Sequence, residues 1–157
     1  MRALRSCAVV AAVAAVAIAS LAQAQSAKPR DHAGDRARLL GAWHLVRIEA
    51  PGADASAQPL GMLLYTQDGH MSVQLMYPKS AHPLSNEYVE AGYEASFGSY
   101  TVDEATHTVI HHIQGSVTRD LLIGKDLPRV YQFTADGKLI LRSARPEEHW
   151  SVTWQHY

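Results

Sequence analysis

Apolar and polar residues alternate in short runs along most of the chain after residue 40. Met71, Val73 and Leu75 fall on one face of such a run, and Val109 and Ile113 mark another. A period of two that is interrupted by turn residues is typical of short, half-buried strands. The pattern predicts eight strands, over residues 43–49, 61–66, 70–77, 96–102, 107–114, 129–134, 138–143 and 149–156.

The connections between these strands alternate in length. Asp68-Gly69 and Asp136-Gly137 are hairpin-turn signals, and a third tight turn falls over residues 103–106. The other four connections are longer, and one of them contains a predicted short helix from Asn86 to Tyr93. We therefore predict an all-β, eight-stranded antiparallel up-and-down β-barrel, with every long connection at one mouth. Because functional residues concentrate in loops on a rigid scaffold, this mouth is where a ligand is expected to enter.

The opposite end of the barrel is predicted to be closed. Gly41 allows close backbone packing at the start of the first strand, and the indole of Trp43 is large enough to fill a narrow barrel end. A short N-terminal helical turn from Asp35 to Leu40, capped by Asp35, completes this plug. Residues 25–38 are otherwise interpreted as a flexible lead-in, and residues 39–157 as one barrel domain.

The first 24 residues have the composition of a secretory signal peptide. Arg2 and Arg5 precede a short apolar run over residues 8–21, and Ala22-Gln23-Ala24 fits a small-x-small cleavage site. The apolar run is too short to span a bilayer comfortably, so no stable membrane anchor is expected. Cys7 lies before this run and not at the cleavage point, which argues against a lipoprotein. A periplasmic or secreted protein, cut after Ala24 and without disulfides, is the expected product.

Charge excludes one class of function. Without the signal peptide the chain has 12 basic and 15 acidic residues, a net charge of −3, and the charges are scattered. No basic stripe is available for a phosphate backbone, so nucleic acid is not an expected partner. No cofactor motif is present, and the oligomeric state stays open.

Four segments resemble the bacterial lipocalin-like domain family. Gly41-Ala42-Trp43 is similar to the G-x-W of lipocalin and calycin barrels. The matching pieces, in chain order, are LGAWHLV at residues 40–46, LYTQDGHMS at 64–72, FGSYTVD at 97–103 and HHIQGS at 111–116. The resemblance implies a lipocalin-type barrel from residue 40 onward, whereas it says little about function because the ligands of that family are largely undefined.

Phasing the strands with apolar residues inward predicts an aromatic cup with a few polar groups, the usual composition of a small-molecule site. In this phase Arg47, His111, Arg129 and Tyr131 face the interior, and either arginine is a candidate clamp for a carboxylate. The phase of the second and fourth strands stays open. The candidate ligand-binding residues are Arg47, Tyr77, Phe97, His111, His112, Arg129, Tyr131 and Trp150.

The nine histidines raise the question of a metal site. His111 and His112 point to opposite faces of their strand, and His107 lies about 13 Å from His111 at roughly 3.3 Å per residue. Neither pair can share an ion, so no metal is expected. No nucleophile elbow or paired-carboxylate motif is present, but His111 beside a tyrosine would form an acid–base pair.

Three classes of function stay open. The first is an exported barrel that binds a small hydrophobic or amphipathic molecule, acidic ligands included, in its interior. The second is an isomerase or cyclase that acts on such a molecule. The third is an exported protein-binding barrel, such as an inhibitor, which would use its loops and not its interior.

The predicted cleavage site can be tested directly. N-terminal sequencing of the mature protein, purified from its own cells, should begin at Gln25, because the small residues before it fit the cleavage pattern. Cytoplasmic protein that keeps Met1 would contradict export.

Overall fold

The computed structural model describes residues 34–52, 59–79 and 86–157. The predicted signal peptide and residues 25–33 of the predicted lead-in lie outside these ranges. Within them, no helix is long enough and apolar enough to cross a membrane.

The eight strands form a closed antiparallel barrel, as predicted. Each strand pairs with the next in sequence, and the first pairs with the last. The strands are β1 Gly41–Glu49, β2 Leu60–Tyr65, β3 His70–Met76, β4 Tyr93–Asp103, β5 Thr108–Ser116, β6 Asp126–Phe133, β7 Leu139–Ser143 and β8 Ser151–His156. The predicted bounds agree with these to within three residues, since alternation locates strand centres better than strand ends.

Two tight turns depend on glycine. Gly69 and Gly137 have φ values of 89° and 82°, which L-residues with a side chain rarely adopt. In the third turn the Asp103 carboxylate accepts a hydrogen bond of 3.0 Å from the backbone N–H of Ala105 and another from Thr106. All three turns were predicted from local sequence, and they fix the β2–β3, β4–β5 and β6–β7 pairs.

The helix predicted after Asn86 is wrong. The Asn86 side chain accepts hydrogen bonds from the backbone N–H groups of Tyr88 and Val89, at 2.8 and 3.0 Å, and so forms a turn. Ala91 and Gly92 then take positive φ values, which stop a helix and lead the chain into β4. A 3-10 helix over Arg119–Leu121 lies in the β5–β6 connection.

A short helix closes the tight-turn end of the barrel. This helix, α1, spans Asp35–Leu39. Its last residue, Leu39, and the neighbouring Trp43 are almost fully buried. The Trp43 Nε1–H donates a 2.8 Å hydrogen bond to the Leu39 carbonyl, so the indole satisfies an otherwise unpaired helix-end acceptor. The plug predicted from Gly41 and Trp43 is therefore present.

The predicted capping role of Asp35 is wrong. Gly34 occupies the position before the helix, and no side chain caps it. The Asp35 carboxylate instead accepts a 3.1 Å hydrogen bond from the Tyr131 hydroxyl and lies 3.1 Å from His107 Nδ1. Asp35 thus ties α1 to the barrel wall, so the helix is held by β6 and the β4–β5 turn.

Trp43→Ala should lower the free energy of unfolding by about 3–5 kcal/mol, because it removes a fully buried indole and leaves a cavity. Trp43→Phe should lose less, mainly the hydrogen bond to Leu39. Val46→Ala is the matched control, since Val46 is 39% exposed on the same strand and should change stability little. Denaturant melts measure all three, and a loss below about 1 kcal/mol for Trp43→Ala would place the indole outside the core.

Candidate functional site

The barrel encloses a cavity of about 200 Å³ in its long-connection half. Residues from three of the four long connections line it, among them Ala50, Tyr88 and Trp150. The remaining wall is mostly apolar side chains that point inward from the strands, including Leu63, Val73, Leu75, Leu127, Leu141 and Val152. An apolar cavity with a few convergent polar groups is the usual form of a small-molecule site.

Arg129 is the cation in this wall. Its side chain is 5% exposed, and its guanidinium carbon lies 4.8 Å from the centroid of the Trp150 ring and 5.4 Å from that of Tyr88. Arg129 Nη1 donates a hydrogen bond of 3.3 Å to the Pro128 carbonyl. Among the described residues no carboxylate oxygen lies within 4.0 Å of the guanidinium. The aromatic rings offset only part of the cost of burying this charge.

Glu94 is the acid in the same wall. Its β3 neighbour in the register is Leu75, which also lines the cavity, so both side chains face inward. In the described ranges the Glu94 carboxyl makes no hydrogen bond and no ion pair. Burial raises the pKa of Glu94 to about 7, although the positive charge of Arg129 opposes the shift. Glu94 therefore exchanges its proton near neutral pH.

His111 and Tyr65 form a closed polar pair deeper in the barrel. The Tyr65 hydroxyl lies 2.6 Å from His111 Nε2, and both side chains are buried. Burial, together with the charges of Arg129 and His112, lowers the pKa of His111 to about 3. His111 is therefore neutral at physiological pH, and a base with such a low pKa is poorly matched to proton transfer near pH 7.

A hydrogen-bonded network holds the aromatic rings at the mouth. Glu148 accepts hydrogen bonds from the Tyr88 hydroxyl and from Trp150 Nε1–H, both at 3.0 Å. Arg145 Nη1 donates to Glu148 and to Glu87, each at 2.7 Å, and so joins the β7–β8 and β3–β4 connections. Burial opposes ionisation of Glu148, but its hydrogen bonds outweigh it and lower the pKa to about 2. The rings that flank Arg129 are thus fixed by an ionised carboxylate.

Four of the predicted ligand-binding residues do line the cavity. They are Tyr77, His111, Arg129 and Trp150. The sequence reasoning missed Glu94, Tyr65 and Tyr88. Tyr65 continues the alternation from Leu63, which would have placed it inside, whereas nothing in the local pattern marks Glu94.

Arg47 and Phe97 were expected at the mouth of the cup, and this placement is wrong for both. A bulge between Leu45 and Arg47 in the pairing with β8 turns Arg47 outward, where it forms a 3.3 Å ion pair with Glu49. Phe97 lies on the outer face because the unbroken alternation of β4 places Ser96 and Tyr100 inside, and its ring is 58% exposed over Gly115. The second bulge, in the β4–β5 pairing, falls in β5 at Gln114. Each bulge adds one residue and so reverses the alternation beyond it.

His112 and Tyr131 also lie outside the cavity. His112 is on the outer face of β5, 2.6 Å from Asp126 and 3.0 Å from the Thr101 hydroxyl. Tyr131 does face inward, but β6 runs from the mouth toward the plug, so Tyr131 lies deeper than Arg129 and contacts Asp35. In the described part of the chain, no three His, Cys, Asp or Glu residues are grouped to hold a metal ion.

Glu94→Gln should stabilise the protein more at pH 8 than at pH 5. Because the folded-state pKa is raised from 4.5 to about 7, the contribution of Glu94 to stability is full below pH 4.5 and is lost as pH rises through 7. The difference between variant and wild type should grow by about 1–2 kcal/mol across this range, allowing for water in the cavity. Denaturant melts at pH 5, 6, 7 and 8 measure it. Glu90→Gln, at an exposed position, is the control, and a difference independent of pH would contradict the shift.

Comparison with known proteins now bears on this barrel and its cavity. No curated protein matches the chain. Among solved structures, a crystal structure of a mutant of the fluorescent protein UnaG matches over 77% of this chain and 97% of its own. Its sequence identity is 13% and the TM-score is 0.40, and both values are too low to assign a property of that protein to this chain.

The match to a protein family covers the whole barrel. The sequence model of the lipocalin-like domain family matches residues 40–156, which is the barrel from the start of β1 to the end of β8. This range contains Gly41, Trp43 and every residue of the cavity wall described above. The chain belongs to the lipocalin-like domain family.

Proposed function

We propose that this barrel binds a small, largely apolar molecule that carries an anionic group, with Arg129 as the counter-charge. The observation that carries the proposal is a buried guanidinium in an apolar cavity, with no carboxylate within ion-pair distance in the described ranges. Burial of an unpaired charge is costly, and a ligand carboxylate would satisfy the unused donors of the guanidinium fork.

The size of the cavity restricts the ligand further. A volume of about 200 Å³ lies below the range of roughly 300–1,000 Å³ that is usual for sites of drug-sized molecules. Tyr88 and Trp150 provide flat apolar surfaces next to the cation. A compact aromatic or short-chain acid fits this combination better than a long lipid.

The N-terminal sequence supports a location outside the cytoplasm. The basic start, the short apolar run and the cleavage pattern together favour export, so we propose a periplasmic or secreted binding protein.

Arg129→Gln should weaken binding of 3-phenylpropanoate about 10- to 100-fold, because a charge-assisted hydrogen bond contributes about 1.5–3 kcal/mol. Isothermal titration calorimetry measures the affinity, with decanoate as a second acid. The neutral analogue 3-phenylpropan-1-ol should lose little.

Arg47→Gln is the matched control for this experiment. The structure places Arg47 on the outer face, paired with Glu49, so its replacement should leave every affinity unchanged. Equal affinities of wild type and Arg129→Gln for both acids would remove Arg129 from the site.

A further inference from the structure

The cavity wall contains two oppositely charged side chains that do not touch. Glu94 enters from the start of β4 and Arg129 from β6, and β5 separates these strands in the sheet. No nitrogen of Arg129 lies within 4.0 Å of a Glu94 oxygen. Both side chains line the same cavity, so the two groups face a common space.

The lack of contact is unusual for a half-buried carboxyl and a buried guanidinium that line one cavity. A buried carboxyl and a buried guanidinium normally form a direct, hydrogen-bonded ion pair, because each is costly to bury alone. At the mouth of this barrel, charged pairs are in contact, as in Arg145 with Glu87 at 2.7 Å. In the cavity, the space between the two side chains has the acceptor oxygens of Glu94 on one side and the N–H donors of Arg129 on the other.

A simple anion would satisfy only one side of this gap. Its carboxylate would pair with Arg129, but it would leave the Glu94 oxygens without a donor and bring a second negative charge into the same cavity. A ligand that also carries a hydroxyl or N–H group would donate to Glu94 while its carboxylate accepts from Arg129. Both buried groups would then be paired.

We infer that the ligand bridges Arg129 and Glu94, and is therefore an acid with an additional hydrogen-bond donor, such as a hydroxyl or N–H group, on its apolar frame. This inference rests on the proposed function, since it takes the Arg129 contact as given. Glu94 is then the specificity-determining residue, because it distinguishes donor-bearing acids from plain acids of the same size.

The test compares 3-phenylpropanoate with its 2-, 3- and 4-hydroxyphenyl analogues by isothermal titration calorimetry at pH 8, where Glu94 is mostly ionised. In wild type, one hydroxyl isomer should bind about tenfold or more tightly than the plain acid, because it gains a hydrogen bond to a charged acceptor. The three isomers place the hydroxyl at different distances from the carboxylate. The preferred isomer therefore also indicates the distance between the Arg129 guanidinium and the Glu94 carboxyl.

Variants assign the preference to Glu94. Glu94→Leu should reduce the ratio of affinities to about one while 3-phenylpropanoate still binds, and Glu94→Gln should give an intermediate ratio because its amide oxygen still accepts. Arg129→Gln should weaken all four acids by a similar factor and keep the ratio. Glu90→Leu, at an exposed acid, should leave every affinity unchanged. Thermal melts confirm that each variant is folded.

The outcomes separate the two proposals. If 3-phenylpropanoate binds through Arg129 but no hydroxyl isomer is preferred, or if the preference survives Glu94→Leu, the bridging inference is overturned and the proposed function stands. A steep loss of plain-acid affinity from pH 6 to pH 8 without isomer preference would mean that protonated Glu94 donates to the ligand, which also overturns it. If no acid shows Arg129-dependent binding, both proposals are overturned.

Discussion

The hydrogen-bond register of a sheet that has no edge places each side chain of the eight strands on the inside or the outside of the barrel. Because β1 pairs with β8 and each other strand pairs with its neighbours, no strand can slip without disturbing two partners. The two bulges are the points where this strict alternation changes. The β1 bulge turns Arg47 outward and places Ile48 in the cavity wall, so it sets the chemistry of the cup as much as its shape.

The sequence predicted most of the fold and about half of the site. The strands and tight turns follow from local signals, such as the alternation at Met71 and the Asp-Gly pairs, which do not depend on distant residues. A bulge leaves no mark in a period-two pattern, and so Arg47 was misplaced. Phe97 was misplaced because the apolar residues of its strand do not fix which face points inward. Tyr131 was correctly predicted to face the interior, but it lies deeper in the barrel than was predicted. Glu94 was missed because its strand begins with few apolar residues, so its phase is set only by pairing with β3.

The charges of the barrel differ between its two faces. On the outer face, Arg47 lies beside Glu49 and His112 beside Asp126, where water screens each pair and little stability is gained. In the cavity, Arg129 and Glu94 are not in contact, and water solvates their charges less completely. A protein selected for stability alone would have brought these groups together or replaced them with apolar residues. Their separation is the feature that most distinguishes this cavity from a filled core.

The closure of the sheet also has a kinetic consequence. The Ser151 hydroxyl donates to the Glu49 carboxylate at 2.8 Å, across 102 residues of sequence, and the strands that carry them complete the barrel. Contacts between such distant residues form slowly, because most of the chain must be ordered before they stabilise it. The cup is complete only when β1 and β8 are paired, and a state without this pairing would expose two open strand edges. A molecule that occupies only the completed cup would draw folding toward the native state by mass action.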